Sequence, residues 1–90
     1  MNAWRVQLNK QVVKDAEKIR RAGLEDNVKE IIQLLRENPF RVPPPYEKLN
    51  GDLNGKYSRR INRKHRMVYT VDTENRIVKV LSVWTHYENV

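Results

Sequence analysis

The chain has 90 residues, 39% of them apolar and 32% charged, with a formal net charge of +7. Such a length suits one domain, residues 1–90, whose folding buries roughly 60–65% of the surface the unfolded chain exposes, which leaves room for one small core. The lack of cysteine excludes a disulfide framework, a thiol nucleophile, a thiolate zinc site and an iron–sulfur cluster. Apolar runs stop at two or three residues, far short of the about 20 that span a bilayer, and MNAWRVQLNK has no secretory apolar region. A soluble, cytoplasmic protein with no membrane partner is expected.

Ala3 to Leu8 alternates Trp4, Val6 and Leu8 with Arg5 and Gln7, a strand with one apolar face. A helix follows from Asn9, a suitable N-cap, with Val12, Val13, Ala16 and Ile19 on the apolar stripe and Asp15, Glu17, Lys18 and Arg20 on the polar side. Gly23 stops it. Asp26 or Asn27 caps a second helix, in which Val28, Ile31, Ile32 and Leu35 fall at core-facing spacing, and Asn38-Pro39 ends it. Phe40 to Gly55, with Pro43-Pro44-Pro45 and two glycines, reads as an ordered, extended connection without regular structure. Pro43-Pro44-Pro45-Tyr46 also fits the PPxY pattern, but a stiff spacer that positions Glu47 is the preferred reading. Lys56 to Asn62, His65 to Val71 and Arg76 to Tyr87 are strand-like, with turns at Arg63-Lys64 and Asp72 to Asn75. The order β-α-α-β-β-β predicts an α+β fold: a helical hairpin on one face of a twisted, mainly antiparallel sheet, with the other face open.

The charge is local. Residues 1–38 hold eight Lys/Arg against six Asp/Glu, whereas Lys56 to Arg66 holds six basic residues and no acid. In His65 to Val71, Met67, Tyr69 and Val71 share a face with His65, so Arg66 points away from the apolar side. Arg60 shares a face with Ser58 and Asn62, and Arg59 shares the other with Tyr57 and Ile61, so only one of the two arginines reaches the open face. Trp4, Tyr57, Tyr69 and Trp84 read as packing residues rather than base-stacking platforms, and His65 as structural.

Tyr46-Glu47-Lys48-Leu49, Leu53-Asn54-Gly55-Lys56-Tyr57-Ser58-Arg59-Arg60-Ile61, His65-Arg66-Met67-Val68-Tyr69 and Trp84-Thr85-His86-Tyr87 occur in that order. Together they resemble the YoeB/Txe branch of the RelE superfamily of toxin endoribonucleases. The resemblance implies a toxin held by an antitoxin and, once free, bound in the ribosomal A site. There it would cleave mRNA without metal or cofactor, by attack of a ribose 2′-OH on the adjacent phosphate. It makes Glu47 the general base, Arg66 the contact to the scissile phosphate, His86 the general acid on the leaving 5′-oxygen and Tyr87 the tyrosine that orients substrate. Arg60 matches a further RNA contact, and Arg59 lies in the same motif. Lys48, Lys56, Arg63 and Lys64 complete the expected phosphate-binding set. Where several relatives carry lysine three residues after the base, this chain has Asn50, with Lys48 or Lys56 as substitutes.

The chemistry agrees with the resemblance. Transesterification of RNA needs a proton acceptor at the 2′-OH, a donor at the 5′-oxygen and positive charge at the phosphorane. Burial would raise the Glu47 pKa and nearby arginines would lower it, and the sequence leaves that contest open. Two other readings stand beside this one: a RelE/ParE-like toxin that inhibits DNA gyrase, which has no use for Glu47 and His86-Tyr87, and a noncatalytic RNA-binding module. The expected partners are ribosomal RNA, mRNA and an acidic antitoxin segment that folds over the Arg60/Arg66/His86 surface or displaces the C-terminal tail. Assembly as a homodimer or a toxin–antitoxin hetero-oligomer is expected.

Overall fold

The structure is a computed structural model that describes residues 3–51 and 55–86, with only the backbone of His86. Strand β1 (Arg5–Leu8) leads into helices α1 (Lys10–Arg21) and α2 (Glu25–Glu37), followed by strands β2 (Glu47–Lys48), β3 (Lys56–Arg60), β4 (His65–Asp72) and β5 (Ile77–His86). The five strands form one sheet in the order β1-β5-β4-β3-β2. β1 runs parallel to β5 and every other pair is antiparallel. The expected α+β architecture holds, with the two helices on one face.

Asn9 caps α1 as expected, its side chain accepting from the Val12 amide at 3.2 Å. Gly23 follows α1 with φ of 71°, a left-handed conformation that costs glycine little. The apolar stripe of α1 departs from its reading: Val13 is 70% exposed and Ala16 is exposed, while Asp15, expected on the polar side, is 2% exposed. The cause lies in β5. The β4–β5 register passes from Arg66↔Thr85 to Val68↔Ser82 and then Tyr69↔Val80, so β5 carries extra residues in two bulges. At the first bulge the Val83 amide donates to Asp15 Oδ2 at 3.3 Å, and Gln11 Nε2 donates to Oδ1 at 2.9 Å. A helix carboxylate thus satisfies a buried strand amide, which helical periodicity cannot anticipate.

α2 begins at Glu25 and not at the expected cap, and no side chain caps it. Asn27 instead donates to the Ile61 carbonyl at 3.0 Å, tying α2 to the end of β3. Val28, Ile31 and Leu35 are buried as the spacing predicts, against Met67, Tyr69, Val78, Val80 and Val83. Trp4, Tyr57 and Trp84 pack against this core, and His65 stacks on Trp84 at 3.8 Å between centroids. Aromatic packing is therefore their role here.

The segment read as irregular contains β2. Glu47 and Lys48 pair with Ser58 and Tyr57, and the Leu49 amide donates to the Lys56 carbonyl at 2.9 Å. The prolines that forbid a ladder end at Pro45, so the residues after them regain the amides that pairing needs. A two-residue strand is too short to show a period.

Candidate active site

Residues opposite one another in a sheet share a face. Glu47 lies opposite Ser58 and Arg60 opposite Arg66, so β2, β3 and β4 carry these four residues to the open face together. Ser58 and Arg60 sit two apart on β3, the spacing that keeps both on one side.

There the Arg66 guanidinium meets Glu47 through two oxygens, with Nη2 to Oε1 at 3.1 Å and Nη1 to Oε2 at 3.0 Å. Nη1 also donates to Ser58 Oγ at 2.8 Å. The pair is lopsided in exposure, 3% for the Arg66 side chain and 58% for Glu47. The hydrogen bond from Arg66 is the main influence on Glu47 and holds its carboxyl below the ordinary value of 4.5; desolvation opposes this, while the charges of Arg66 and Arg60 reinforce it. The arginines thus win the contest that the sequence left open. A cleft of about 130 Å³ lies beside this group, lined by Pro44, Pro45, Tyr46, Glu47, Ser58, Arg60 and Arg66. A wider depression of about 830 Å³ lies by Trp4, Arg5 and the β4–β5 turn and holds none of the candidate residues.

The other candidates divide. Arg59, expected among the phosphate contacts, is corrected: it is 1% exposed, and its guanidinium donates to Tyr69 Oη and to the carbonyls of Pro39, Arg41 and Pro44. Burial pushes the Tyr69 hydroxyl up to about 12 although Arg59 pulls the other way, so it stays protonated while accepting from Nε. Arg63 and Lys64 are exposed in the β3–β4 turn, where Asn62 Oδ1 accepts from the Lys64 and His65 amides. Lys48 is exposed on β2 next to Glu47, and Lys56, half-buried, opens β3. β5 reaches the Arg66 row at Thr85 and ends at His86, whose backbone lies opposite His65. The His86 side chain and Tyr87 lie outside the described residues.

Ser58 had no assigned role in the sequence reading, although its alternation with Arg60 was visible there. The helical layer is also polarised, because α1 carries five Lys/Arg against two acidic residues and α2 carries two against four. Among the described residues, no three His, Asp or Glu side chains gather at metal-binding separations.

This arrangement can do two things: remove a proton with a carboxylate and hold a dianionic or phosphorane oxygen with a preset guanidinium. Comparison with known proteins gives the lineage. The curated toxin YoeB of Synechocystis is 36% identical over 58 residues, which is 64% of this chain and 65% of that protein, just under two thirds of its length. A YoeB/ParE toxin from Agrobacterium tumefaciens superposes with a TM-score of 0.80 at 28% identity, over 92% of this chain and 99% of the other. The YoeB–YefM complex of Staphylococcus aureus contains a chain that matches with a TM-score of 0.74 at 30% identity, over 93% and 98%. A family model described as the YoeB-like toxin of the bacterial type II toxin-antitoxin system matches residues 6–87, a span that includes every residue lining the cleft, and the chain belongs to that toxin family.

Proposed function

We propose that the chain is a ribosome-dependent endoribonuclease that cuts mRNA in the ribosomal A site and so stops translation. The observation that carries this reading is the Glu47–Arg66–Ser58 group, a proton acceptor bonded to a buried phosphate-sized cation at the edge of a cleft. In the reaction, Glu47 takes the 2′-OH proton as the 2′-oxygen attacks the adjacent phosphate. The phosphate replaces the carboxylate on Arg66, and Arg66 with Arg60 balances the phosphorane charge. His86 gives a proton to the departing 5′-oxygen and Tyr87 orients the substrate. The products are a 2′,3′-cyclic phosphate and a free 5′-hydroxyl. The reaction needs no metal or other cofactor.

In the cytoplasm an antitoxin with an acidic segment would cover Arg60 and Arg66, in a toxin–antitoxin hetero-oligomer; the S. aureus YoeB–YefM complex supports an antitoxin partner for a toxin of this fold. The gyrase reading leaves the Glu47–Arg66 pair without a task, and a noncatalytic RNA module predicts that Glu47→Ala binds RNA as well or better. Purified protein is incubated with programmed ribosomes and mRNA ends are mapped. Wild type yields cut mRNA, and Glu47→Ala and His86→Ala each lower the rate by about 10²–10⁴-fold while ribosome binding persists. Uncut mRNA with wild type refutes the activity; equal cutting by the variants refutes the site.

A further inference from the structure

Arg59 and Arg60 are neighbours in sequence and opposites in placement. Arg60 faces the cleft, and Arg59 passes through to the other side of the sheet, where it is 1% exposed. Its Nε donates to Tyr69 Oη at 2.9 Å, Nη1 to the Pro44 carbonyl at 2.6 Å, and Nη2 to the carbonyls of Pro39 and Arg41 at 2.8 and 2.9 Å. The Tyr46 ring lies 5.0 Å from its guanidinium carbon. Among the described residues no carboxylate pairs with it. A buried cation compensated by three carbonyls, a phenol oxygen and a ring face, with no carboxylate, is a costly way to gain stability, and such groups are better suited to selecting one conformation.

The conformation selected is that of the segment leading into Glu47. Three prolines in a row have no amides, so the segment cannot organise itself by a ladder of its own, and its carbonyls need outside donors. One planar guanidinium supplies them. Pro44 and Tyr46, which Arg59 holds from behind, also line the cleft from the front, and Glu47 is the next residue. On its other side Glu47 has only the two-residue ladder of β2. Because the Glu47 side chain is 58% exposed, its surroundings do not confine it. Once a phosphate takes Arg66, the place of the carboxylate depends on its backbone.

We propose that Arg59 is a positioning residue, a buried clamp that fixes the proline segment and thereby sets the general base Glu47 against the substrate. This rests on the reading of Glu47 as the base. Arg59 neither touches RNA nor contributes to ribosome affinity.

The test compares Arg59→Lys with Leu35→Val, a core change on α2 chosen as a stability control. Arg59→Lys keeps the charge and loses the fork. Arg59→Lys lowers kcat for mRNA cleavage by about 10–100-fold with KM within about twofold, whereas Leu35→Val leaves kcat unchanged. In a Glu47→Ala background, Arg59→Lys has no further effect on kcat, since both changes remove the same base. A drop confined to KM, an unchanged kcat, or a full multiplicative loss on top of Glu47→Ala overturns the proposal. Should Arg59→Lys fail to fold, Tyr69→Phe removes only the hydroxyl that holds Nε; its kcat falls below that of Leu35→Val at equal melting temperature, and parity between the two is refuting. A second readout needs no activity: the Arg66 guanidinium NMR resonances in Arg59→Lys move toward those of Glu47→Ala, and stay at the wild-type positions if the clamp does not reach Glu47. An inert wild type with that NMR shift would defeat the nuclease reading and spare the clamp.

Discussion

Asp15 offers a sharp test of how the helical layer is joined to the sheet. Its carboxylate is 2% exposed and accepts from the amide of Val83, itself 1% exposed, where β5 bulges ahead of Thr85. Asp15→Ala leaves that amide buried without its acceptor, at a cost of about 1–3 kcal/mol. For a domain of this size about 2 kcal/mol corresponds to a fall of about 8–16 °C in melting temperature. Asp15→Asn retains a carbonyl oxygen of nearly the same reach, so its loss stays within about 1 kcal/mol. Thermal and urea unfolding measure both variants, with an unchanged urea slope showing that the transition remains the same one. Amide hydrogen exchange supplies the local readout: Val83 loses protection in Asp15→Ala before the rest of β5. Equal destabilisation by alanine and asparagine, or a Val83 amide still protected in Asp15→Ala, would refute the assignment.

The Glu47–Arg66 pair gives a pH signature. Its folded pKa is depressed from 4.5, so its stabilisation is fully present above that value and is lost as pH falls through the folded pKa; the melting-temperature gap between wild type and Glu47→Gln therefore closes below pH about 4.5. In Glu47→Ala the buried Arg66 guanidinium loses its counter-ion, and inorganic phosphate raises the melting temperature of that variant more than that of wild type, where the carboxylate competes; equal shifts in calorimetry would place the anion elsewhere. Ser58→Ala removes the acceptor that fixes Arg66 Nη1, and cleavage falls about 10-fold, equivalent to about 1.4 kcal/mol; an unchanged rate denies Ser58 that part. Gly23→Ala, at φ of 71° with nothing within 4 Å of an added Cβ, costs about 1 kcal/mol in urea unfolding from backbone strain alone, and a neutral result would remove the strain argument.

What could be read before the structure depended on whether a residue's partner was local. Asn9 and Gly23 act within a few residues of themselves and were read correctly, as was the α2 stripe of Val28, Ile31 and Leu35. The face of Arg66 followed from strand alternation, whereas its sharing a site with Glu47 was implied only by the family resemblance. Asp15 was misread because its partner is 68 residues away across a bulge, and a bulge leaves no mark on helical periodicity. Strand alternation already set Arg59 and Arg60 on opposite faces; Arg59 was counted among the phosphate contacts because it shares charge and motif with Arg60, and the carbonyls that take it come from a segment 15–20 residues away that has no periodicity to read. β2 escaped because two residues have no period, and only the amides regained after Pro45 hinted at pairing.

The net charge changes meaning under this geometry. Of the six cations between Lys56 and Arg66, Arg59 is occupied by backbone carbonyls and Arg66 by a carboxylate. The other four, Lys56, Arg60, Arg63 and Lys64, are half-buried or exposed. A surface built only to attract RNA gains nothing from a carboxylate set on one of its cations, as Glu47 is set on Arg66. On the proposed reading, placing Glu47 on Arg66 weakens attraction to phosphate and sets a proton acceptor where the phosphate would enter. That trade lowers affinity and is useful only if a proton has to move, which is the physical argument for cutting over holding.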